Sequence, residues 1–419
     1  MSARWLVPAA LLALASPVRA DWPQWRGPTG DGVAAGFTAP SAWPKELKKG
    51  WSVKVGDGVA TPALAGGRLY AFGWEGGKEV LRCLDAATGK ELWKEGYSTT
   101  PATGGASGFP AARSSPAVAD GKVVTFGVQG VLTCRDAATG KQLWQKADTG
   151  RAPMFSAACS PLLVDGVCVV QVGGDRGGAV VAFDLTTGEE KWRWASDGTK
   201  YASPTVADIS GLRAVVAETA GTVSAIGLKD GKMLWQDSFS SKYNASTPVV
   251  AGAAVIYGGA GKANTAVQLE RKGDGLESKK AWANDENPVQ FASPAVRDGL
   301  LYGIGQDGTV FCIDTATGKT QWTGRPAAAA GGATPGMGKG KGKGFGGGGG
   351  GYGSVVVAGP VLFALTPAGT LTVLDAGRAE YKELAKYRVA DGSTYAYPVV
   401  DGKAVFIRDR DSVTRWTIE

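Results

Sequence analysis

The sequence predicts an all-β protein, an eight-bladed β-propeller of four-stranded antiparallel blades. Three observations predict this fold. Sixty-four glycines and 14 tryptophans in 419 residues are typical of many short strands joined by turns rather than of long helices. A motif that begins with a small residue and proline recurs along the chain, and most copies end in a tryptophan. Its period of about 45 residues is the length of one propeller blade.

The repeat is most regular at its prolines, which are spaced by 54, 45, 43, 44 and 46 residues. Six copies carry Pro62, Pro116, Pro161, Pro204, Pro248 and Pro294. A seventh copy starts near Ser354 without the proline or the tryptophan, and an eighth carries Pro398 and reaches the end of the chain. In the second copy, we expect strands at 117–119, 123–126, 131–135 and 142–145, because Gly-containing turns separate the alternating apolar runs.

A tryptophan follows the last turn of most copies. A strand-borne indole buries roughly 150–250 Å², so an indole at one place in each repeat is expected to pack between neighbouring blades. The structural tryptophans predicted in this way are Trp51, Trp93, Trp144, Trp192, Trp235, Trp282 and Trp322.

The first of these tryptophans predicts how the ring of blades closes. The eighth copy has room for only three strands, whereas residues 51–55 precede the first proline and match a fourth strand. Pairing residues 51–55 with residues 412–418 would complete the eighth blade and remove two open sheet edges. The alternative is a seven-bladed propeller in which the weak seventh copy forms a long excursion.

Two segments precede the repeat region 50–419, and one interrupts it. Residues 1–20 have the charged start, short apolar stretch and small-residue end of an export signal peptide; the alternatives are an uncleaved anchor or a buried strand. Residues 21–49 are a turn-rich leader that we expect to pack on the propeller. Residues 325–353 are rich in Gly and Lys and predict a flexible insertion. A periplasmic or secreted protein is expected.

The composition excludes several kinds of chemistry. The chain has no histidine, so Ser-His-Asp catalysis and His-bearing zinc sites are excluded. Its net charge of +7 is scattered, which argues against nucleic-acid binding, since such a surface needs clustered cations. The five cysteines are an odd number, so at least one thiol stays free. No segment beyond the signal is apolar enough to cross a membrane.

The repeat resembles the pyrroloquinoline quinone (PQQ) repeat. The resemblance rests on Cys83-Leu84-Asp85-Ala86-Ala87-Thr88-Gly89-Lys90-Glu91-Leu92-Trp93 and on Phe183-Asp184-Leu185-Thr186-Thr187-Gly188, and it covers about residues 50–419. It implies the propeller fold. The opening Asp21-Trp22-Pro23-Gln24-Trp25-Arg26-Gly27-Pro28 also resembles that of a group of exported PQQ-repeat proteins.

The PQQ-repeat family contains two kinds of protein, and the resemblance implies one or the other. Quinoprotein dehydrogenases hold PQQ and Ca²⁺ on the propeller axis under adjacent cysteines, with an aspartate as base; this chain has no adjacent cysteines. The cofactor-free kind, such as the outer-membrane assembly scaffold lipoprotein, uses its loops for protein contacts. This chain is similar to the scaffold kind in size, but it has no cysteine just after the signal to carry a lipid.

A ligand site is expected on one face of the propeller. The loops between blades and the loops joining the second and third strands of each blade share a face, and they carry aromatic and cationic residues, Phe109 among them. Aromatic rings with arginine suit a peptide, a glycan or a small anion. The candidate ligand face consists of Trp74, Arg113, Phe155, Asp175, Arg176, Tyr201, Tyr243, Phe291, Asp307 and Tyr395.

These observations predict a non-catalytic, monomeric scaffold that binds a protein partner of the cell envelope through this face. No catalytic residue, metal site or cofactor is expected. Two alternatives remain open: a PQQ- and calcium-dependent dehydrogenase-like enzyme, and a glycan-binding protein.

Overall fold

The computed structural model describes residues 21–326 and 352–419. These residues form 33 β-strands and one short 3-10 helix at Gly104–Ala106. The strands make eight blades, each with four antiparallel strands, and the short strand Val33–Ala34 adds to the seventh blade in parallel. The predicted eight-bladed propeller is confirmed and the seven-bladed alternative is wrong. The predicted signal peptide and most of the predicted insertion lie outside the described residues.

The strands follow the repeat closely. In the first four blades they are Ala63–Ala65, Arg68–Glu75, Lys78–Asp85 and Glu91–Ser98; Ala117–Ala119, Lys122–Phe126, Leu132–Asp136 and Gln142–Lys146; Leu162–Val164, Val167–Gly173, Gly178–Asp184 and Glu190–Ser196; and Thr205–Ile209, Leu212–Glu218, Thr222–Gly227 and Met233–Ser238. In blades five to eight they are Val249–Ala251, Ala254–Gly259, Lys262–Lys272 and Gly275–Asn284; Ala295–Arg297, Leu300–Ile304, Val310–Asp314 and Thr320–Gly324; Ser354–Ala358, Val361–Leu365, Thr370–Asp375 and Glu383–Arg388; and Val399–Asp401, Ala404–Arg408, Ser412–Thr417 and Lys48–Lys54.

The eighth blade closes the ring as the sequence predicts. Lys48–Lys54 pairs antiparallel with Ser412–Thr417, with Val53 opposite Val413. The closing strand starts two residues before the expected boundary at residue 50. This pairing joins the two ends of the repeat region and gives Ser412–Thr417 a neighbour on both sides, with Lys48–Lys54 as the outermost strand of the blade.

The blade tryptophans lie between neighbouring blades. The Trp192 indole donates its Nε1–H to the Leu228 carbonyl of the next blade at 2.8 Å, and its ring packs on Gly231. Gly231 has φ +71°, which glycine adopts without strain, and a Cβ there would lie 2.9 Å from the indole. The same indole-on-glycine contact joins Trp51 to Gly89, Trp93 to Gly140, Trp144 to Gly188 and Trp282 to Gly318. The Gly turn before the last strand of blades one to four and of blade six therefore receives the indole of the preceding blade.

The leader fills the axial channel. The first strands of neighbouring blades contact one another, so these strands surround the axis. Oxygen atoms of the leader accept main-chain hydrogen bonds from the first strands of five blades, at Leu64, Val118, Leu163, Val296 and Val357. A segment that bonds to first strands on several sides of the axis must lie inside the channel.

Candidate functional site

A nearly closed ring of hydroxyl groups surrounds the axis where the first strands begin; it is open between Thr61 and Ser115, whose Oγ has no hydrogen-bond partner among the described residues. At this level the main-chain N–H of one blade donates to the side-chain hydroxyl at the same place in a later blade. The pairs are Ser115 to Ser160, Ser160 to Ser203, Ser203 to Thr247, Thr247 to Ser293, Ser293 to Tyr397 and Tyr397 to Thr61, at 2.8–3.2 Å. All seven of these residues directly precede a repeat proline, so the residue before the proline supplies the hydroxyl.

The leader meets this hydroxyl ring from within. Trp25 donates its Nε1–H to Thr247 Oγ1 at 3.1 Å, and its ring lies 4.8 Å from that of Tyr397. Arg26 is completely buried and donates to the Pro294 carbonyl. The axis is therefore occupied by the chain's own side chains at the level of the hydroxyl ring.

Seven aromatic rings form a cap on the upper face, which we define as the face made by the loops between blades and the loops joining second and third strands. One ring comes from each of seven successive between-blade loops. The aromatic cap consists of Phe109, Phe155, Tyr201, Tyr243, Phe291, Tyr352 and Tyr395. Because each of these seven loops joins two successive blades, the cap spans all eight blades.

The rings of the aromatic cap form a continuous series of contacts. Centroid distances are 5.9 Å from Tyr201 to Phe155, 6.2 Å from Phe155 to Tyr243 and 5.1 Å from Tyr243 to Phe291. Phe291 stacks on Tyr352 at 4.3 Å, and Tyr395 lies 5.3 Å from Tyr352 and 5.0 Å from Phe109. Tyr243 is buried and the other six rings are half-buried, so the cap presents aromatic surface to solvent.

Arg113 holds two loops of the aromatic cap together. Its guanidinium donates to the carbonyls of Ala106 and Phe109 in its own loop and of Phe155 in the next. Burial lowers the pKa of Arg113 to about 10, so the group stays charged at neutral pH. These donors are directed at main-chain oxygens, and the role of Arg113 as a ligand group stays a prediction.

Two tyrosines of the aromatic cap, Tyr201 and Tyr352, stay neutral at physiological pH. Burial raises the pKa of Tyr201 to about 12 and that of Tyr352 to about 12. Their hydroxyls can therefore donate and accept hydrogen bonds, whereas their rings remain uncharged contact surfaces.

One edge of the aromatic cap is exposed and carries charge. Met154, next to Phe155, is 70% exposed. Its N–H donates to Asp175 at 2.7 Å, and Asp175 also pairs with Lys200 at 2.6 Å. Lys242 lies 5.3 Å from the centroid of the Tyr243 ring. This edge combines an exposed apolar side chain with cations beside aromatic rings.

The predicted ligand face is brought together only in part. Five predicted residues are rings of the cap, and Arg113 and Asp175 adjoin them. Trp74 instead pairs its main chain with Asp57 beside the first blade. Asp307 bonds to Thr309 and Arg325, and Arg176 is exposed beyond the rim.

The sequence analysis missed Tyr352. Tyr352 stands two residues before Ser354, as Tyr201 stands two before Ser203 and Phe291 two before Ser293. That spacing was a usable signal, but counting from the repeat proline hid it because the seventh copy has no proline.

The structure does not fit a PQQ and calcium site. Trp25, Arg26 and Tyr397 occupy the axis, and the chain has no adjacent cysteines. Within residues 21–326 and 352–419, no three Cys, Asp or Glu side chains are grouped to hold a metal ion. A cleft between the leader and the first strands of blades three to five has a volume of about 300 Å³ including its open mouth. In the same residues, no helix is long and apolar enough to cross a membrane.

Comparisons with known proteins agree with the fold. The outer membrane protein assembly factor BamB of Yersinia pestis is 26% identical over 46% of this chain and 52% of its own length. The quinohemoprotein alcohol dehydrogenase of Comamonas testosteroni is 31% identical over 36% of this chain and 22% of its own length. The chain thus spans about half of the first relative and about a fifth of the second.

A solved structure shows the same architecture over most of both chains. BamB from Moraxella catarrhalis superposes with a TM-score of 0.63 and 13% identity, covering 89% of this chain and 98% of that one. At this identity the likeness shows the fold alone. A family profile described as outer membrane protein assembly factor BamB matches residues 77–324, which is more than half of the chain. The chain therefore belongs to the family of the outer membrane protein assembly factor BamB.

Proposed function

We propose that this protein is an exported, non-catalytic scaffold that binds a protein partner in the cell envelope through its aromatic cap. The observation that carries the proposal is the cap itself, seven contacting rings at solvent-facing loops. Aromatic residues and methionine are enriched in protein interfaces, and large exposed apolar patches are uncommon elsewhere on soluble proteins. The exposed Met154 extends the patch at its edge.

The relatives support an envelope scaffold. Members of the family are named as outer membrane protein assembly factors, and the export signal predicted for residues 1–20 supports a location in the cell envelope. The filled axis removes the position at which the dehydrogenases of the wider PQQ-repeat family hold their cofactor. The face that remains for recognition is therefore the loop surface rather than the channel.

Site-specific photocrosslinking in the native cell tests the proposal. A photoreactive phenylalanine analogue is placed at Met154, beside the aromatic cap, and at Lys141, which is exposed in a Thr-Gly turn on the opposite face of the same region. We expect one envelope protein to crosslink from position 154 and not from position 141. The partner is then identified and purified, and its direct binding to this protein is measured.

Two outcomes would contradict the proposal. Equal crosslinking from both faces, or none from position 154, would remove the cap as the binding surface. Retention of the protein on polysaccharide resins that is lost in the Tyr201→Ala and Phe291→Ala variants would instead assign the cap to glycans, through sugar faces stacked on the rings.

A further inference from the structure

A buried carboxyl group lies just below the aromatic cap. Glu218 is the last residue of the second strand of the fourth blade. It is 0% exposed, and neither of its carboxyl oxygens has a hydrogen-bond partner among the described residues. A buried carboxylate without a donor or a counter-ion is strongly unfavourable.

The repeat shows what this position does in other blades. In the third and eighth blades, Gln171 and Arg408 occupy the position that Glu218 occupies in the fourth. In each of these blades, the first residue after the repeat proline pairs with a residue of the second strand, and the position in question lies two residues further along that strand. Gln171 Nε2 donates to the carbonyls of Ala202 and Glu218 at 2.9 and 3.0 Å. Arg408 Nη1 donates to those of Ala60 and Phe72 at 3.1 and 2.6 Å. In both blades a side-chain donor ties the second strand to two carbonyls of the next blade.

The same repeat geometry places Glu218 opposite carbonyl oxygens of the fifth blade. In the fourth blade, the carbonyls that accept from Gln171 belong to Ala202 and Glu218. The residues at the same two positions of the fifth blade are Ser246 and Gly258. The electrostatic interaction between Glu218 and Tyr257 of the fifth blade indicates that the two side chains lie near each other. Carbonyl oxygens only accept hydrogen bonds, so an ionised carboxylate would repel them, whereas a protonated carboxyl would donate to one of them.

We infer that Glu218 is a neutral carboxylic acid whose O–H donates a hydrogen bond to a main-chain carbonyl of the fifth blade. Ionisation of Glu218 breaks this hydrogen bond, which is the tie between blades four and five. The protonated carboxyl is thus a hydrogen-bond donor to the next blade, as the amide of Gln171 is in the third blade. The tie is therefore sensitive to pH where the equivalent ties of Gln171 and Arg408 are not.

The surroundings of Glu218 favour the neutral form. Burial raises the pKa of Glu218 well above its usual range. The titratable group that faces it from the fifth blade is Tyr257, whose hydroxyl donates to Asp237 at 2.6 Å. Burial raises the pKa of Tyr257 above its usual value, with Asp237 and Glu218 adding to the shift, so this phenol stays protonated while Glu218 titrates.

The tie lies close to two rings of the cap. Thr219, next to Glu218, accepts a hydrogen bond on its carbonyl from Asn244 Nδ2 at 2.6 Å. The Asn244 carbonyl accepts from the N–H of Tyr201 at 3.2 Å, and Tyr243 directly precedes Asn244. Ionisation of Glu218 would therefore disturb the loops that hold Tyr201 and Tyr243.

The test compares the pH dependence of stability in the wild type and in Glu218→Gln. The folded state holds the Glu218 proton more tightly than the unfolded state does. The contribution of Glu218 to the free energy of unfolding is therefore greatest at low pH and falls as the pH rises above the unfolded pKa of this group. This single group changes the unfolding equilibrium constant by up to tenfold per pH unit until the folded pKa is reached. Glutamine keeps a donor, so Glu218→Gln is expected to lose this part of the slope at pH values above the unfolded pKa and to remain folded.

Glu79→Gln is the matched control. Glu79 is equally buried, but its carboxyl accepts hydrogen bonds from the Tyr97 hydroxyl and the Val128 N–H. The two bonds are accepted by different oxygens of Glu79, whereas a glutamine amide has only one oxygen acceptor. Glu79→Gln is therefore expected to be destabilised at neutral pH, in contrast to Glu218→Gln. Infrared difference spectra of the wild type against Glu218→Gln provide a readout without unfolding, and we expect a protonated carboxyl band only in the wild type at pH 7.

Three results would overturn the inference. Equal pH slopes in the wild type and Glu218→Gln would show that Glu218 does not titrate differently on folding. The absence of a protonated carboxyl band would show that it is ionised. Stabilisation by Ca²⁺ or Na⁺ at constant ionic strength, abolished in Glu218→Gln, would show that a cation rather than a proton faces the carbonyls. None of these measurements involves the partner, so the result is independent of the proposed function.

Discussion

Replacing Ser203 by alanine removes one hydroxyl from the ring that joins the first strands around the axis. Ser203 Oγ accepts the N–H of Ser160 at 2.9 Å, and Ser203 is 3% exposed. In Ser203→Ala the Ser160 N–H would remain buried without an acceptor. The loss is therefore the desolvation cost of an unpaired donor, about 1–3 kcal/mol, rather than only the smaller net value of one hydrogen bond.

Equilibrium unfolding in urea measures the global effect, and hydrogen exchange at the Ser160 amide measures the local one. Ser203→Thr is the matched control, because Thr61 and Thr247 supply the same hydroxyl in other blades. We expect Ser203→Ala to lose about 1–3 kcal/mol and to exchange faster at Ser160. Ser203→Thr should stay within about 0.5 kcal/mol of the wild type. An alanine variant as stable as the wild type, or a threonine variant as weak as alanine, would refute this role of the ring.

Three further predictions concern the scaffold and its axis. In urea unfolding, Gly231→Ala should lower the free energy of unfolding by about 1–3 kcal/mol more than Gly211→Ala does. Both glycines have φ above +70°, but only Gly231 packs on an indole, that of Trp192. Equal losses in the two variants would refute the indole contact. Deleting residues 48–54 should open the eighth blade and cause aggregation through the exposed strand edge, seen by size-exclusion chromatography; an unchanged monomer with the same unfolding midpoint would contradict closure. Titration with PQQ and Ca²⁺ should give no calcium-dependent heat in a calorimeter, because the axis is filled by Trp25 and Tyr397; micromolar calcium-dependent binding would contradict that conclusion.

The blades were predictable because the same local rule is repeated. Most copies have a glycine with positive φ at the last turn and a tryptophan that contacts the next blade. Trp51 therefore identified the closing strand, although it lies more than 350 residues from its partner strand. The weak seventh copy lacks this signal, but its strands still alternate and pair in the same order.

The site was less predictable because loop direction is not repeated. Counting back from the prolines found Tyr201, Phe291 and Tyr395, since these residues keep a fixed distance from the first strand. Arg113 shares that spacing, yet its guanidinium is directed at carbonyls of two loops, which no spacing can show. The path of the leader through the channel depends on hydrogen bonds to first strands far along the chain, and these leave no periodic trace in residues 21–37.

The account depends most on the aromatic cap as a binding surface, and one affinity measurement tests this directly. Once the crosslinked partner is purified, its affinity is measured for the wild type, for Phe291→Ala and for Trp194→Ala, a half-buried ring on the outermost strand of the third blade. We predict that Phe291→Ala weakens binding at least tenfold, about 1.4 kcal/mol, because Phe291 stacks on Tyr352 at the centre of the series, and that Trp194→Ala binds as the wild type does. Unchanged affinity in a folded Phe291→Ala variant, or an equal loss in Trp194→Ala, would contradict the account.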